Sequence, residues 1–104
     1  MLAAALLVCK GYRVLARRVK THAGEIDLIA KSPAGIVCFI EVKARPDAGQ
    51  AVDAVSRRQQ ERIARAAALW LAGRPAKARF DIISVLPGRL PHHWKDAWRP
   101  DDCC

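Results

Sequence analysis

Apolar and polar positions along the chain predict four strands and two helices. The first ten residues are almost entirely Ala, Leu and other apolar residues, which favours a buried helix ending near Lys10–Gly11. Runs with loose alternation or continuous apolar character, rich in Val, Ile and Phe, predict strands at Tyr12–Lys20, Glu25–Lys31, Gly35–Ala44 and Arg79–Leu86. The polar stretch Arg45–Gln50 is predicted to be a loop.

The second helix has clear start and stop signals. The letters "SRRQ" form a capping box, in which Ser56 is the cap and the Gln59 side chain reaches back. Gly73 and Pro75 supply the stop. Apolar residues recur between these signals at helical spacing: Ile63, Ala67, Trp70 and Leu71. A strand that follows such a crossover helix implies a central mixed β-sheet in an α/β/α sandwich.

Length and composition indicate one globular domain. We expect residues 1–86 to form it and residues 87–104 to be an irregular C-terminal tail. Neither a signal peptide nor a transmembrane span is predicted, so we expect no membrane partner. The four cysteines show no disulfide or zinc-site spacing, which favours reduced thiols in a cytoplasmic protein. His92–His93 and Cys103–Cys104 could together bind a metal, but a flexible tail is the simpler interpretation.

The net charge changes the picture. The 18 Lys and Arg residues against 10 Asp and Glu residues give a formal charge of +8. Such an excess favours a nucleic-acid partner or an anionic surface, although solubility alone is an open alternative. Arg58, Arg62 and Arg65 recur at i, i+4 and i+7 of the second helix, so they form a cationic rail suited to a phosphate backbone. A solvated helix face is the alternative, and the Gln60 amide on this helix would contact phosphate or water.

The third strand carries a charged pair inside an apolar run, "CFIEVKA". Glu41 and Lys43 are two residues apart and therefore share one face of the strand. If "PAG" is a three-residue hairpin loop with Gly35 in the left-handed position, Asp27 lies opposite Glu41 and Glu25 opposite Lys43. This register predicts a four-residue charged cluster at the open end of the hairpin.

Paired carboxylates at this distance repel each other, so one must take a proton or a cation must lie between them. A divalent metal resolves the conflict, since Mg²⁺ commonly takes one or two carboxylates plus water and phosphate oxygens. Lys43 beside it would orient the attacking water and stabilise phosphate charge. A structural network in which Lys43 pairs with Glu25 is the alternative interpretation.

Three motifs in order resemble the YraN-like family of bacterial proteins, a branch of the PD-(D/E)xK nuclease superfamily related to archaeal Holliday-junction resolvases. The motifs are "GEIDLIA", "FIEVKAR" and "RFDIISV", and the resemblance covers about Gly11 to Leu86. It implies a restriction-endonuclease-like core and Mg²⁺- or Mn²⁺-dependent hydrolysis of phosphodiester bonds. The roles it implies are metal ligation by Asp27 and Glu41, with help from Glu25, and catalysis by Asp27, Glu41 and Lys43.

The first helix departs from this pattern. In relatives it is longer and carries a Glu that contributes to the site, whereas "MLAAALLVCK" contains no acid. We therefore expect a truncated N-terminal helix, either because the start codon is assigned too late or because this copy has lost a ligand.

The leading hypothesis is a metal-dependent endonuclease acting on DNA, branched or single-stranded, with Arg45, Arg58, Gln60, Arg62 and Arg65 binding the nucleic acid. One alternative is a non-catalytic nucleic-acid-binding module that keeps the nuclease fold. Another is a structural adaptor whose charged cluster stabilises a strand end. A homodimer is compatible with all three hypotheses.

Overall fold

A computed structural model describes residues 2–44 and 55–100 of the chain. The elements are helices α1 (Leu2–Cys9) and α2 (Arg57–Leu71) and strands β1 (Arg13–Lys20), β2 (Glu25–Lys31), β3 (Val37–Lys43), β4 (Ala78–Ser84) and β5 (His92–Trp98). The predicted loop Arg45–Gln50 lies outside the described residues.

The five strands form one mixed sheet in the order β1-β2-β3-β4-β5. Three neighbouring pairs are antiparallel, and β3 pairs with β4 in parallel, as the crossover through α2 requires. The predicted α/β fold with a central mixed sheet is confirmed.

Each face of the sheet has its own apolar core. On one face α2 contributes Ile63, Ala66 and Ala67, which pack against a cluster that includes Phe39 and Phe80. On the other face α1 contributes its buried side chains Ala3, Ala4 and Leu7 to a second cluster. Because a helix covers each face, the strands are apolar on both sides.

The hairpin between β2 and β3 has the predicted loop and register. Gly35 adopts a φ of 88°, and the Ser32 amide donates to the Ile36 carbonyl at 2.8 Å. The pairing runs from Lys31 opposite Val37 to Leu28 opposite Ile40. One further step along this register sets Asp27 opposite Glu41.

Alternation along β2 is interrupted next to that position. Regular alternation predicts that Ile26 lies on the α1 face with Leu28, but Ile26 packs in the α2-side core. The neighbouring residue of β1, Arg18, has a φ of 48°, and no regular pair joins it to Asp27. The left-handed conformation of Arg18 interrupts the pairing of β1 with β2 at Asp27. The side chains of β2 on either side of Asp27 therefore do not follow one alternating pattern.

The interpretation of residues 87–104 as an irregular tail is wrong for His92–Trp98, which forms β5 along the edge of β4. Burial explains the strand, because Trp98 is only 8% exposed and stacks on Phe80 with ring centroids 4.3 Å apart. Cys103 and Cys104 lie outside the described residues.

Among the described residues, neither helix is both long and apolar enough to span a bilayer.

Candidate metal-binding and nucleic-acid-binding site

Asp27 and Glu41 meet where the β2–β3 ladder ends. The last regular pair is Leu28 with Ile40, and beyond it the Asp27 side chain replaces the ladder by accepting a hydrogen bond from the Val42 amide at 2.8 Å. The Glu41 carboxyl hydrogen-bonds the Asp27 carboxyl beside it. The hairpin therefore brings together the two carboxylates that the sequence predicted to be neighbours.

The electrostatics of this pair follow from burial and like charge. Burial raises the pKa of Glu41, the hydrogen bond and charge of Asp27 raise it further, and it reaches about 8. The charge of Lys43 and the amide of Gln59 act in the opposite direction but do not compensate. At neutral pH and without a metal, the pair holds a proton.

Gln59 is a site residue that the sequence reasoning assigned to another role. Its backbone amide donates to the Ser56 hydroxyl at 3.1 Å, which confirms Ser56 as the helix cap. Its side-chain amide does not reach back to close the capping box, because Nε2 donates to Glu41 Oε2 at 3.1 Å. The sequence did offer a signal for this contact. Gln59 lies in the first turn of α2, and α2 packs on the sheet face that carries Glu41.

Of the two other residues predicted to belong to the charged cluster, Lys43 lies in the site and Glu25 does not. Lys43 is half-buried at the end of β3, where its charge lowers the pKa of Glu41, so it belongs to the site. Glu25 is exposed at the start of β2 and is paired through its Cα with Lys20 of β1. The regular β2–β3 pairing stops three residues before Glu25, so the register does not carry it to Lys43.

The site offers two carboxylate ligands, which is enough for a hard divalent cation such as Mg²⁺. Among the described residues, no group of three or more His, Cys, Asp or Glu side chains could hold a metal ion. Two carboxylates remain, and Mg²⁺ is bound by one or two carboxylates when water and phosphate oxygens complete its octahedron. Asp27 and Glu41 would hold such an ion, which would polarise a phosphate oxygen or a bound water.

The predicted cationic rail is exposed on α2. Arg58, Arg62 and Arg65 are all solvent-exposed, and the last two line a shallow groove between α2 and the His22–Ala23 turn. The rail shares α2 with Gln59, whose side chain contacts Glu41.

Close packing fixes the turn before β2 against this helix. A Cβ on Gly24 would lie 3.3 Å from the Cβ of Arg62, so a larger residue would push the turn and α2 apart by a few tenths of an ångström.

Two further residues, Gln60 and Arg45, were predicted to bind nucleic acid. The side-chain amide of Gln60 donates to the Val55 carbonyl at 3.0 Å, so it is already hydrogen-bonded at the start of α2. Arg45 lies outside the described residues.

A second polar cluster lies on the α1 face and was not predicted. Asp81 is 0% exposed and accepts hydrogen bonds from Arg79, His93 and the Asp96 amide. Arg79 also donates to the Tyr12 hydroxyl at 2.7 Å. This cluster joins β4 to β5 and to the start of β1, and it does not contact the paired carboxylates.

Comparison with known proteins places the chain in a family. The family model described as "Uncharacterised protein family UPF0102" matches residues 1–85. UPF0102 proteins of Maricaulis maris, Rhizobium etli and Agrobacterium fabrum are 49%, 50% and 52% identical to this chain over 105, 100 and 100 residues. These alignments cover 97%, 92% and 92% of this chain and 82%, 81% and 81% of the relatives. The chain therefore belongs to the UPF0102 family, the YraN-like family that its motifs resemble.

Proposed function

We propose that this protein is a metal-dependent nuclease that hydrolyses phosphodiester bonds in DNA. The observation that carries the proposal is the hydrogen-bonded pair Asp27–Glu41 with Lys43 two residues away, on a chain of charge +8. A structural ion-pair network would place a carboxylate next to a cation. This site instead places two carboxyl groups next to each other, and they share a proton at neutral pH.

Each residue has a role that its position supports. Asp27 and Glu41 would hold Mg²⁺ or Mn²⁺, which supplies Lewis-acid activation of the scissile phosphate and its water when bound. The Lys43 ammonium stabilises negative charge that develops on the phosphate, and Gln59 holds Glu41 in place. The α2 arginines position the nucleic-acid backbone alongside.

The resemblance to PD-(D/E)xK nucleases is a second line of support. It comes from the ordered motifs, and Asp27, Glu41 and Lys43 are the positions in this chain that match. The names of the UPF0102 relatives specify no activity, so the proposal depends on the site's chemistry.

The test is a cleavage assay with Mg²⁺ or Mn²⁺ on labelled duplex, single-stranded and four-way DNA. We expect cleavage that is lost in Asp27→Asn and Lys43→Gln. Asp96→Asn on β5 and Lys31→Gln at the loop end of the β2–β3 hairpin are the matched controls, because each removes an exposed charge from a residue outside the site. Both variants should cleave normally. Cleavage that survives Asp27→Asn would contradict the assignment.

A non-catalytic nucleic-acid-binding module is the second candidate. One observation favours it, namely that only two carboxylates meet in the described part of the chain. This candidate predicts salt-sensitive DNA binding, equal in wild type and Asp27→Asn, with no cleavage under any metal condition. A protein that neither cleaves nor binds would instead be the structural adaptor.

A further inference from the structure

A groove opens at the edge of the sheet where β3 and β4 end. These two strands are parallel, so their carboxyl ends meet there, and such a crevice is where open α/β sheets bind ligands. One wall comes from Val42 and Lys43 at the end of β3. The other comes from the segment after β4, between Val85 and Leu90, and from Leu2 at the start of α1.

The walls of this groove are aliphatic with a cationic rim. Lys43 and Arg89 are the two charged residues among the described residues that line it, and none of these lining residues is acidic. Leu90 is 91% exposed and Leu2 is 59% exposed, an unusual exposure for large apolar side chains. An apolar surface rimmed by charge is typical of a binding site rather than of a bare protein surface.

Lys43 connects the groove to the paired carboxylates. It lines the groove, and its charge also acts on Glu41. Glu41 and Lys43 share one face of β3, whereas Val42 and Val85 pack on the α1 side, so the carboxylates and the groove lie on opposite sides of the end of β3. A strand that passes over this end with a phosphate at Lys43 would set the adjacent nucleoside against the aliphatic walls.

We propose that this groove takes one unpaired base of the strand whose phosphate lies at Lys43, an inference that rests on the proposed nuclease function. A paired base keeps both faces stacked in the duplex, whereas an unpaired base can bury a face against aliphatic walls. The substrate class is accordingly a strand end, flap or junction with unpaired nucleotides.

Charge favours this occupant over a second copy of the chain. A nucleotide brings a phosphate to Lys43 and Arg89, whereas a second copy brings another net charge of +8 to a groove that is already cationic.

The experiment compares three labelled DNAs with Ca²⁺ in place of Mg²⁺: a duplex, the same duplex with a short flap, and the same flap with abasic residues. The natural and abasic flaps carry the same phosphates and differ only in bases. We expect wild type to bind the natural flap roughly fivefold or more tightly than the abasic flap, given the usual contribution of a docked base. Leu90→Gln should bring this ratio close to one and leave duplex affinity unchanged.

Leu15→Gln is the matched control, because Leu15 is also a partly exposed leucine but belongs to β1, away from the groove. It should keep the wild-type ratio. Leu90→Trp should raise the ratio and show fluorescence quenching with the natural flap only.

Several results would overturn the groove assignment. Equal binding of natural and abasic flaps by wild type would do so, as would a ratio unaffected by Leu90→Gln. A self-association that Leu90→Gln abolishes would assign the surface to a second copy. A fall of more than about 5 °C in the Tm of Leu90→Gln would show that the chain itself covers this leucine. Absence of binding to all three DNAs would overturn the proposed function, whereas binding without discrimination overturns only the groove.

Discussion

At the scale of single residues, Glu41 makes the metal-free protein less stable than it would otherwise be. Its ordinary pKa near 4.5 rises to about 8 in the folded chain, because burial and Asp27 disfavour the charged form. Between these values the native state holds a proton that the unfolded chain has lost, so the free energy of unfolding falls as pH rises from about 4.5 to 8.

Glu41→Gln should remove this pH dependence. At pH 8 without metal we expect the variant to be more stable than wild type by about 1–2 kcal/mol, a value reduced for solvent screening at a half-buried site, and equal to it near pH 4. Urea unfolding at the two pH values measures this. Added Mn²⁺ should reverse the order at pH 8, because only wild type keeps both ligands. Glu61→Gln, an exposed carboxyl on α2, should show neither effect.

Gln59 and Gln60 offer a matched pair at the same helix turn. Gln59 donates to Glu41, whereas Gln60 donates to the Val55 carbonyl. We expect Gln59→Ala to weaken Mn²⁺ binding roughly tenfold, as is usual when a hydrogen bond to a metal ligand is removed. Gln60→Ala should leave Mn²⁺ affinity unchanged while lowering the stability of the helix start. Equal losses of Mn²⁺ affinity in calorimetric titrations would show that the Gln59 contact has no special role.

At the scale of elements, the Asp81 cluster fixes β5 to the rest of the sheet. Lysine has only donors, so the 2.7 Å contact of Lys10 Nζ with His93 Nδ1 makes Nδ1 the acceptor and leaves Nε2–H to donate to Asp81. Burial by itself raises the pKa of Asp81, but the hydrogen bonds from His93, Arg79 and the Asp96 amide outweigh it and lower the pKa below 3.8.

Asp81→Asn should therefore lower the free energy of unfolding by about 3 kcal/mol at neutral pH, because it leaves the Arg79 charge without its buried partner. The carboxylate's contribution is present above about pH 3.8 and is lost as pH falls through its lowered pKa. Wild type and variant should converge in urea unfolding at strongly acidic pH, with Trp fluorescence reporting on β5. Asp96→Asn, on the neighbouring strand β5 and with an exposed side chain, should cost little.

At the scale of the whole molecule, charge is arranged so that the paired carboxylates lie beside cations. The chain's +8 predicts DNA binding that weakens steeply with salt, and the α2 arginines share a helix with Gln59, which contacts Glu41. Arg65→Gln should reduce the slope of log affinity against log salt concentration by about 1 if this arginine contacts a phosphate.

Arg17→Gln is the control for that measurement. Arg17 is also exposed but lies on β1, where its Cα pairs with that of Leu28 on β2. For Arg17→Gln, the slope of log affinity against log salt concentration should match that of wild type, as measured by fluorescence anisotropy on duplex DNA over a salt series. Equal slopes for the two variants would show diffuse attraction rather than contact along α2.

Much of the fold was readable because the signals were local. The hairpin register followed from Gly35 and the length of one loop, and that register set Asp27 opposite Glu41. The start of α2 followed from Ser56, and the parallel pairing of β3 with β4 followed from the crossover. Periodicity and turn chemistry depend on a few neighbouring residues, so one sequence suffices for them.

The errors came from contacts between distant segments. β5 contains few strand-forming residues besides its tryptophans, and burial of Trp98 against Phe80 stabilises it as a strand. Glu25 shares a strand with Asp27, yet the ladder to β3 ends before reaching it. Gln59 was correctly placed on α2, but only the packing of that helix shows that its side chain contacts Glu41.

One sequence was enough to predict the α/β class, the hairpin that pairs Asp27 with Glu41, the rail on α2 and the family. The packing of elements against one another was needed to show which amide holds Glu41, that Asp81 is a buried anchor, and that Lys43 borders a groove. These contacts join residues that are far apart in sequence: Gln59 and Glu41 are 18 residues apart, and His93 and Lys10 are 83 apart. Such contacts depend on how two elements pack, which no local pattern encodes.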